Sequence, residues 1–163
     1  MAAVDETLYN FNPGILSKDA CIVIVHTEWN AAIVDKLLDG CITLLKQYGM
    51  HNYKVITVPG AFEIPFAIKN FWEHYHNKFE KPQACIALGC VLRGDTPHFD
   101  YVCRAVTDGV VQLNLTLPVP TIFGVLTVDT QQQADERTGG VHGNKGAEAA
   151  ISALKMIAVK NSA

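Results

Sequence analysis

The sequence has neither a surplus of basic residues nor a long apolar run. Its 163 residues include 13 Lys and Arg against 16 Asp and Glu, which gives a formal net charge of −3. A nucleic-acid-binding surface needs a basic stripe, so we do not expect nucleic acid as a partner. Every apolar stretch is well short of the ~20 residues that a membrane helix requires, so we do not expect a membrane partner either.

The N-terminal residues lack the basic start and the apolar core of a secretion signal. They carry the acidic residues Asp5 and Glu6 instead. We expect residues 1–12 to form an N-terminal arm that is either loose or docked on a neighbouring subunit, and a loose arm is the commoner state for an isolated domain. The remaining residues, 13–163, have the length of one domain with its own core.

Cysteine pairs with metal-ligand or redox spacing are also missing. The five cysteines are an odd number and none forms a CxxC pair: Cys21, Cys41, Cys85, Cys90 and Cys103. We therefore expect free, structural thiols in a reducing cytoplasm and no zinc site. No Walker loop, GxGxxG, GxSxG or HExxH motif is present, so the common phosphate-loop, dinucleotide, serine-hydrolase and zinc-protease sites are not indicated.

Apolar patterning, by contrast, is strong. Four apolar, β-branched runs are typical of buried strands, and they occupy residues 20–25, 53–58, 84–91 and 121–128. Helical periodicity follows each of them, and the helix after the second run is expected from about Phe62 to Lys78. Asn30, Thr130 and Asn144 are the expected N-caps, and Gly49 is an expected helix end. The alternation predicts an α/β domain with a four-stranded parallel sheet between two helical layers. An α+β arrangement with a mixed sheet is the alternative.

In a parallel α/β sheet, ligands bind beyond the carboxyl ends of the strands. This rule selects four turns, at residues 26–30, 59–63, 89–98 and 127–130. The third turn is the richest, because Gly89 and Gly94 permit close approach of a ligand to the backbone, and Thr96 and Arg93 offer a hydroxyl and a guanidinium. His98 stands where the next helix begins, and a helix N-terminus disfavours imidazolium, so we expect it to act as a base near neutrality. The alternative is a capping or surface histidine.

The other turns carry weaker signals. Glu63 with neighbouring backbone amides suits a polyhydroxylated ligand, or it only complements the helix dipole. Trp29 follows the first strand and suits stacking on a flat heterocycle, or it is ordinary packing. Arg137 suits a phosphate group, or it forms a surface salt bridge with Asp135 or Glu136. Together these residues indicate a ligand with a flat ring, hydroxyl groups and phosphate.

Several segments resemble the 6,7-dimethyl-8-ribityllumazine synthase family. They are VPGAFEIP at 58–65, ALGCVLRGDTPHFD at 87–100, FGVLT at 123–127, ER at 136–137 and GNKG at 143–146. The resemblance implies a flavodoxin-like, three-layer α/β/α fold and a transferase of riboflavin biosynthesis. That enzyme condenses 5-amino-6-ribitylaminouracil with 3,4-dihydroxy-2-butanone 4-phosphate and releases phosphate and water, with no cofactor or metal.

The resemblance also implies a role for each matching position. Trp29 would stack on the pyrimidine ring, and the backbone of Cys90, Val91 and Leu92 would meet the ring edge. The ribityl chain would bind to the segment of Ala61, Phe62 and Glu63, with Glu63 accepting hydrogen bonds from its hydroxyls.

The phosphate-side turn would contain Asp95 and Thr96, with His98 as general acid and base and Arg137 as phosphate anchor. Phe123, from an adjacent subunit, and Lys145 would line the site. The sequence departs from the family pattern at Glu28, where a basic residue is frequent, and at Val141, where a lysine is frequent.

Family members are homopentamers, and some assemble further into decamers or sixty-subunit icosahedral capsids. The high share of hydrophobic residues, 49%, agrees with surface that other subunits cover. The short turn from Gly139 to Asn144 favours a larger shell. Two rival readings are a flavin-binding or shell-forming protein without catalysis, which would not need both His98 and Arg137, and a phosphoacceptor signalling domain, which would need an acidic cluster that residues 26–28 do not supply.

Overall fold

A computed structural model describes residues 4–163, so the first three residues of the predicted arm lie outside the described residues. The strands of the main sheet are β1 (Cys21–Thr27), β2 (Tyr53–Val58), β3 (Pro82–Leu92) and β4 (Thr121–Val128). The helices are α1 (Ala31–Gln47), α2 (Ile64–Tyr75), α3 (His98–Thr116), α4 (Gln131–Asp135) and α5 (Lys145–Ser162). A small hairpin precedes α5 and consists of β5 (Thr138–Gly140) and β6 (Gly143–Asn144).

The main sheet has four parallel strands in the order β2-β1-β3-β4. Side chains alternate along β1, so Ile22 and Ile24 join a core with α1 and α5, while Val23 and Val25 join a second core with α2 and α3. All four side chains are fully buried, and each contributes about 1.5–3 kcal/mol of hydrophobic stabilisation. The sheet thus lies between two helical layers, which confirms the predicted three-layer α/β/α fold.

The last helix begins as predicted. The side-chain Oδ1 of Asn144 accepts hydrogen bonds from the backbone N–H groups of Gly146 (2.8 Å) and Ala147 (3.2 Å). Its amide donates to the carbonyl of Lys36 at 2.9 Å, which joins the start of α5 to α1. Gly146 lies so close to the Leu37 carbonyl that a Cβ there would collide with it. The absence of a side chain at Gly146 is therefore what lets α1 and α5 pack closely.

Two predicted helix starts differ from the structure. Asn30 precedes α1, but its side chain makes no capping hydrogen bond. The helix predicted to begin near Phe62 starts with a 3₁₀ turn, Ala61–Glu63, and α2 then ends at Tyr75 rather than at Lys78. Both differences occur at turns beyond the carboxyl ends of strands, where tertiary contacts compete with local preference.

The described part of the N-terminal arm docks on its own chain. A 3₁₀ turn spans Glu6–Tyr9, and the side chains of Leu8, Tyr9 and Phe11 pack against the core that contains α1 and α5. The hydroxyl of Tyr48 donates to the carbonyl of Tyr9 at 2.9 Å. The expectation of a loose arm is therefore wrong for residues 6–11, because their apolar side chains gain burial on α1 and α5. None of the helices within residues 4–163 is long and apolar enough to cross a membrane.

Candidate functional site

A cleft of about 550 Å³ opens where β1, β2 and β3 end. We call it the first cleft, and three of the four turns selected from the sequence meet there. The predicted site residues that line it are Trp29, Ala61, Phe62, Glu63, Cys90, Val91, Leu92, Thr96 and His98. Asp95 is exposed and does not line it. Thr27, Asn30, Gly60 and Phe99 are among the lining residues that the sequence did not single out.

Trp29 is held by its backbone rather than by burial of its ring. Its N–H donates to the carbonyl of Pro59 at 3.1 Å, and its carbonyl accepts from the hydroxyl of Thr27 at 3.2 Å. A Cβ at Gly60 would lie 3.3 Å from Cε3 of the indole, so the ring passes directly beside that glycine. Trp29 is nonetheless 68% exposed. Most of its surface is therefore free to contact a flat ligand.

Asn30, the next residue, adopts the left-handed backbone conformation, with φ 59° and ψ 41°. Its side-chain amide donates to the carbonyl of Cys90 at 2.8 Å and so joins the turn after β1 to the end of β3. Sequence reasoning missed this residue as part of the site. Asparagine tolerates left-handed backbone better than most residues, but its position before a helix indicated a cap instead.

In the second turn, the side chain of Glu63 accepts a hydrogen bond from a backbone N–H group of the same turn. Oε2 of Glu63 accepts a hydrogen bond from the N–H of Gly60 at 3.0 Å. The carboxylate thus stabilises the 3₁₀ turn that carries Ala61 and Phe62, in line with the structural interpretation of Glu63. Because only one oxygen of the carboxylate takes part, the other retains its capacity to accept a hydrogen bond from a ligand hydroxyl. Phe62 is 62% exposed at the mouth of the cleft.

The cysteines of the structure are free thiols. Burial raises the pKa of Cys90 to about 11 and the pKa of Cys41 and Cys85 to about 12. Cys90 therefore stays protonated at neutral pH and is not an activated nucleophile, although it lines the first cleft. Within residues 4–163, no three His, Cys, Asp or Glu side chains lie together in a way that could hold a metal ion.

In the third turn, Arg93 points away from the first cleft, whereas His98 borders it. Nε of Arg93 lies 2.6 Å from Oδ1 of Asp129, and its guanidinium lies 4.1 Å from the centre of the Phe99 ring. Arg93 is thereby tied to the turn after β4 and does not reach into the cleft. His98 is the first residue of α3, and its N–H donates to the Thr96 hydroxyl at 3.4 Å. No hydrogen-bond partner among residues 4–163 holds its exposed imidazole, which borders the cleft.

The remaining three predicted residues lie in another place. Phe123, Arg137 and Lys145 line a second cleft of about 330 Å³, which runs along β4 and α5. The Nζ of Lys145 is buried and lies 2.8 and 2.9 Å from the two carboxylate oxygens of Glu148. One chain therefore does not bring these residues together with His98.

Arg137 in the second cleft is held in part by its own chain. A terminal nitrogen donates to the carbonyl of Gln133 at 2.9 Å, and the same nitrogen lies 3.8 Å from a carboxylate oxygen of Glu136. The predicted surface salt bridge is thus present as a long ion pair. A planar guanidinium has five N–H donors, so most of its donors remain for an anion.

Comparison with known proteins agrees with these features. The family model described as 6,7-dimethyl-8-ribityllumazine synthase matches residues 19–161. Proteins with that name from Parabacteroides distasonis and Porphyromonas gingivalis are 48% and 47% identical to the chain; they cover 91% of it and match over 91% and 90% of their own lengths. A protein of the same name from Flavobacterium psychrophilum is 40% identical over the whole chain and over 86% of its own length. The chain belongs to the 6,7-dimethyl-8-ribityllumazine synthase family.

Proposed function

We propose that the first cleft, completed by the second cleft of a neighbouring copy, carries out the condensation for which the family is named. As a member of this family the chain is an enzyme of riboflavin biosynthesis, a transferase. Its substrates are 5-amino-6-ribitylaminouracil and 3,4-dihydroxy-2-butanone 4-phosphate. One observation supports the assignment of the site: an exposed indole, a turn rich in backbone amides and a histidine whose ring has no partner among the described residues border one cavity.

The pyrimidine substrate fits the inner part of the first cleft. In this proposal its ring stacks on Trp29, and its polar edge bonds to backbone groups of Cys90, Val91 and Leu92. The ribityl hydroxyls bond to the 3₁₀ turn, where Glu63 accepts through the oxygen that does not bind Gly60. The neutral thiol of Cys90 and the apolar walls suit an uncharged ring.

The condensation requires that the two substrates are positioned together and that protons are transferred. The 5-amino group adds to the ketone carbon and the adduct loses water to form an imine. Loss of the C3 proton and of phosphate from C4 then leaves an enol, which tautomerises to a carbonyl at C3. The ribitylamino nitrogen attacks this carbonyl carbon and closes the ring with loss of a second water. His98 carries protons between these steps as general acid and base. Asp95 and Thr96 face the phosphate side with backbone amides and a hydroxyl, and holding the two substrates together supplies much of the remaining acceleration.

The phosphate anchor comes from another subunit in this proposal. Arg137, Lys145 and Phe123 lie in the second cleft, away from His98 of the same chain. The chain also exposes large apolar side chains, among them Phe66 (72%), Tyr101 (68%) and Leu115 (74%). Both observations support a homo-oligomer in which the two clefts of adjacent copies face each other, as in a pentameric ring.

Mixed oligomers test this arrangement. At a ketone phosphate concentration well below the KM of Arg137→Ala, the His98→Ala and Arg137→Ala chains should each have little activity, and we expect activity to return when they are unfolded together and reassembled. In a ring of randomly mixed copies about a quarter of the sites receive both native residues, so about a quarter of the wild-type activity should return. No recovery would place both residues in a site within one chain. The readout is lumazine absorbance and fluorescence, and a wild-type protein that forms no lumazine above the uncatalysed background would favour the binding reading instead.

The size of the assembly is a separate measurement. The short β5–β6 hairpin, without an insertion, supports growth of pentamers into a larger icosahedral shell, and free thiols support a cytoplasmic location. Sedimentation and light scattering distinguish five, ten and sixty copies. A monomer would contradict the proposed site, because Phe123 and Arg137 could then not reach a partner.

A further inference from the structure

Asn30 has an unusual backbone conformation. Among residues 4–163 it is the one residue other than glycine with a positive φ, at 59°. Such a conformation is costly for a residue with a side chain, and it persists only where surrounding contacts enforce it. Asparagine is one of the few residues that adopt it readily. The conformation therefore points to a contact that the native fold maintains at this turn.

The side chain of Asn30 also does not cap the helix that follows it. Thr130 and Asn144 precede α4 and α5, and both accept hydrogen bonds from the first N–H groups of those helices. Asn30 precedes α1 but makes no such bond, although its carbonyl accepts from the N–H groups of Ile33 and Val34. Its amide instead reaches Cys90, sixty residues away, at 2.8 Å. The local capping interaction has been exchanged for a tertiary one.

This tertiary bond crosses a gap in the backbone pairing. The pairing of β1 with β3 ends at His26 and Leu88, after which β3 continues beside β4 alone. The turn after β1 is tied on its other side, where the N–H groups of Glu28 and Trp29 donate to the carbonyls of Val58 and Pro59. Between that turn and the carboxyl end of β3, the bond from the Asn30 amide to Cys90 is, among residues 4–163, the hydrogen bond that joins the two walls of the first cleft.

We propose that Asn30 is a positioning residue that sets the separation between the indole of Trp29 and the backbone of Cys90–Leu92, and thereby the width of the slot for the pyrimidine ring. The left-handed backbone turns the side chain towards β3 and leaves the preceding Trp29 beside Gly60. Asn30 acts through these two walls and not on the reacting atoms. The inference rests on the proposed function, because that function places the pyrimidine ring between them.

Two substitutions distinguish the effect of the Asn30–Cys90 hydrogen bond from the effect of the left-handed backbone. Asn30→Gly retains the positive φ without strain and removes the amide. Asn30→Asp has nearly the same shape and tolerates the same φ, but its carboxylate cannot donate to the Cys90 carbonyl and is free to bind the N–H groups at the start of α1. We expect Asn30→Asp to keep or raise the thermal midpoint while it loses the bond between the walls. Asn30→Ala is a poorer test, since it adds backbone strain.

The variants are made in a Trp72→Phe background, in which Trp29 is the sole tryptophan of the two in the sequence. Trp72 lies on α2, stacked on His76 and outside both clefts, so this background should retain full activity. Loss of one hydrogen bond should raise the KM for 5-amino-6-ribitylaminouracil roughly three- to tenfold in both variants. The KM for the ketone phosphate and kcat should change by less than about twofold. In the ligand-free protein, the fluorescence anisotropy of Trp29 should fall.

If both KM values rose equally and the thermal midpoint fell in the same variants, the role of Asn30 would be merely structural. That result would overturn the proposal. An unchanged KM for the pyrimidine would overturn it as well. A wild-type protein that forms no lumazine would remove the proposed function without deciding this point. The anisotropy of the ligand-free variants then decides it: a decrease in both supports a bond that holds Trp29 in place, and an unchanged value rejects it.

Discussion

The two clefts are built from different chemistry. The first cleft lies beyond the strand ends and is lined by an exposed indole, the neutral thiol of Cys90, backbone groups and one histidine. The second cleft lies along the edge strand β4 and contains two cations, of which Lys145 is buried against Glu148. A buried cation is tolerated because its partner compensates for lost hydration. The first cleft thus suits a neutral ring and proton transfer, and the second suits an anion.

The difference between the clefts explains why one chain contains both of them at separate places. The helix and turn that hold His98 belong to the end of β3, whereas Arg137 lies in the segment between α4 and the β5–β6 hairpin. A pyrimidine and a ketone phosphate that react with each other need both chemistries at once. Our proposal meets that need with a second copy of the chain, and the following predictions separate the contribution of each cleft.

The largest effect is expected for His98→Ala, which removes the proton carrier of the first cleft. We expect kcat to fall roughly 10²-fold, within the range for loss of general acid–base catalysis, while both KM values change little because positioning remains. Steady-state kinetics measure this effect. His76→Ala, a change of a histidine at the exposed end of α2, serves as the control and should have wild-type kinetics. A wild-type rate for His98→Ala would remove this residue from its role.

Arg137→Ala should act on the other substrate. Loss of the proposed phosphate anchor should raise the KM for the ketone phosphate about 10- to 100-fold, the range expected for a hydrogen-bonded charge, with a small effect on the KM for the pyrimidine. Arg93→Ala is the matched control, because that guanidinium is engaged by Asp129 and does not face either cleft. If both variants weakened the same substrate equally, the assignment of the anion to the second cleft would be wrong.

Gly146→Ala should weaken the support of the second cleft without touching the first. A methyl group at this position would collide with the Leu37 carbonyl, so α5 must shift away from α1. Overpacking of this kind costs about 1–3 kcal/mol, which lowers the thermal midpoint by several degrees. Calorimetry measures the change. Gly94→Ala is the control, since a methyl group there meets no described atom within 4 Å, and an unchanged midpoint in both variants would contradict the close packing.

The smallest effect concerns pH and the strand that supports the first cleft. Burial is the main cause that lowers the pKa of His26, whose Nε2 lies 2.9 Å from the Thr57 hydroxyl. Below about pH 6.5 the unfolded chain therefore binds this proton more readily than the folded one, and stability decreases as the pH falls. His26→Gln should lose part of that decrease. Thermal midpoints at pH 7 and pH 5 test it against His51→Gln, and an identical acid dependence in both variants would exclude His26 as a cause.

Many features of the fold and the site could be predicted from local sequence patterns. The residues predicted for β2 and β4 are those of the observed strands, because short apolar runs bounded by turn residues leave few alternatives. Asn144 caps α5 as predicted, since its partners lie two and three residues away. The carboxyl-end rule also placed Trp29 and His98 at one cavity. In each case the interaction is either local or a direct consequence of parallel strand order.

Contacts between distant segments could not be read in this way. Asn30 has the sequence context of a cap, and only the position of β3 decides that its amide bonds to Cys90. Arg93 has the sequence context of a ligand-binding residue, but the turn after β4 supplies Asp129 as its partner. The sequence by itself determined the element order, the parallel sheet and the chemical inventory of the site. The tertiary structure decided how that inventory divides between two clefts, because hydrogen bonds and ion pairs between distant turns depend on distances that residue order does not contain.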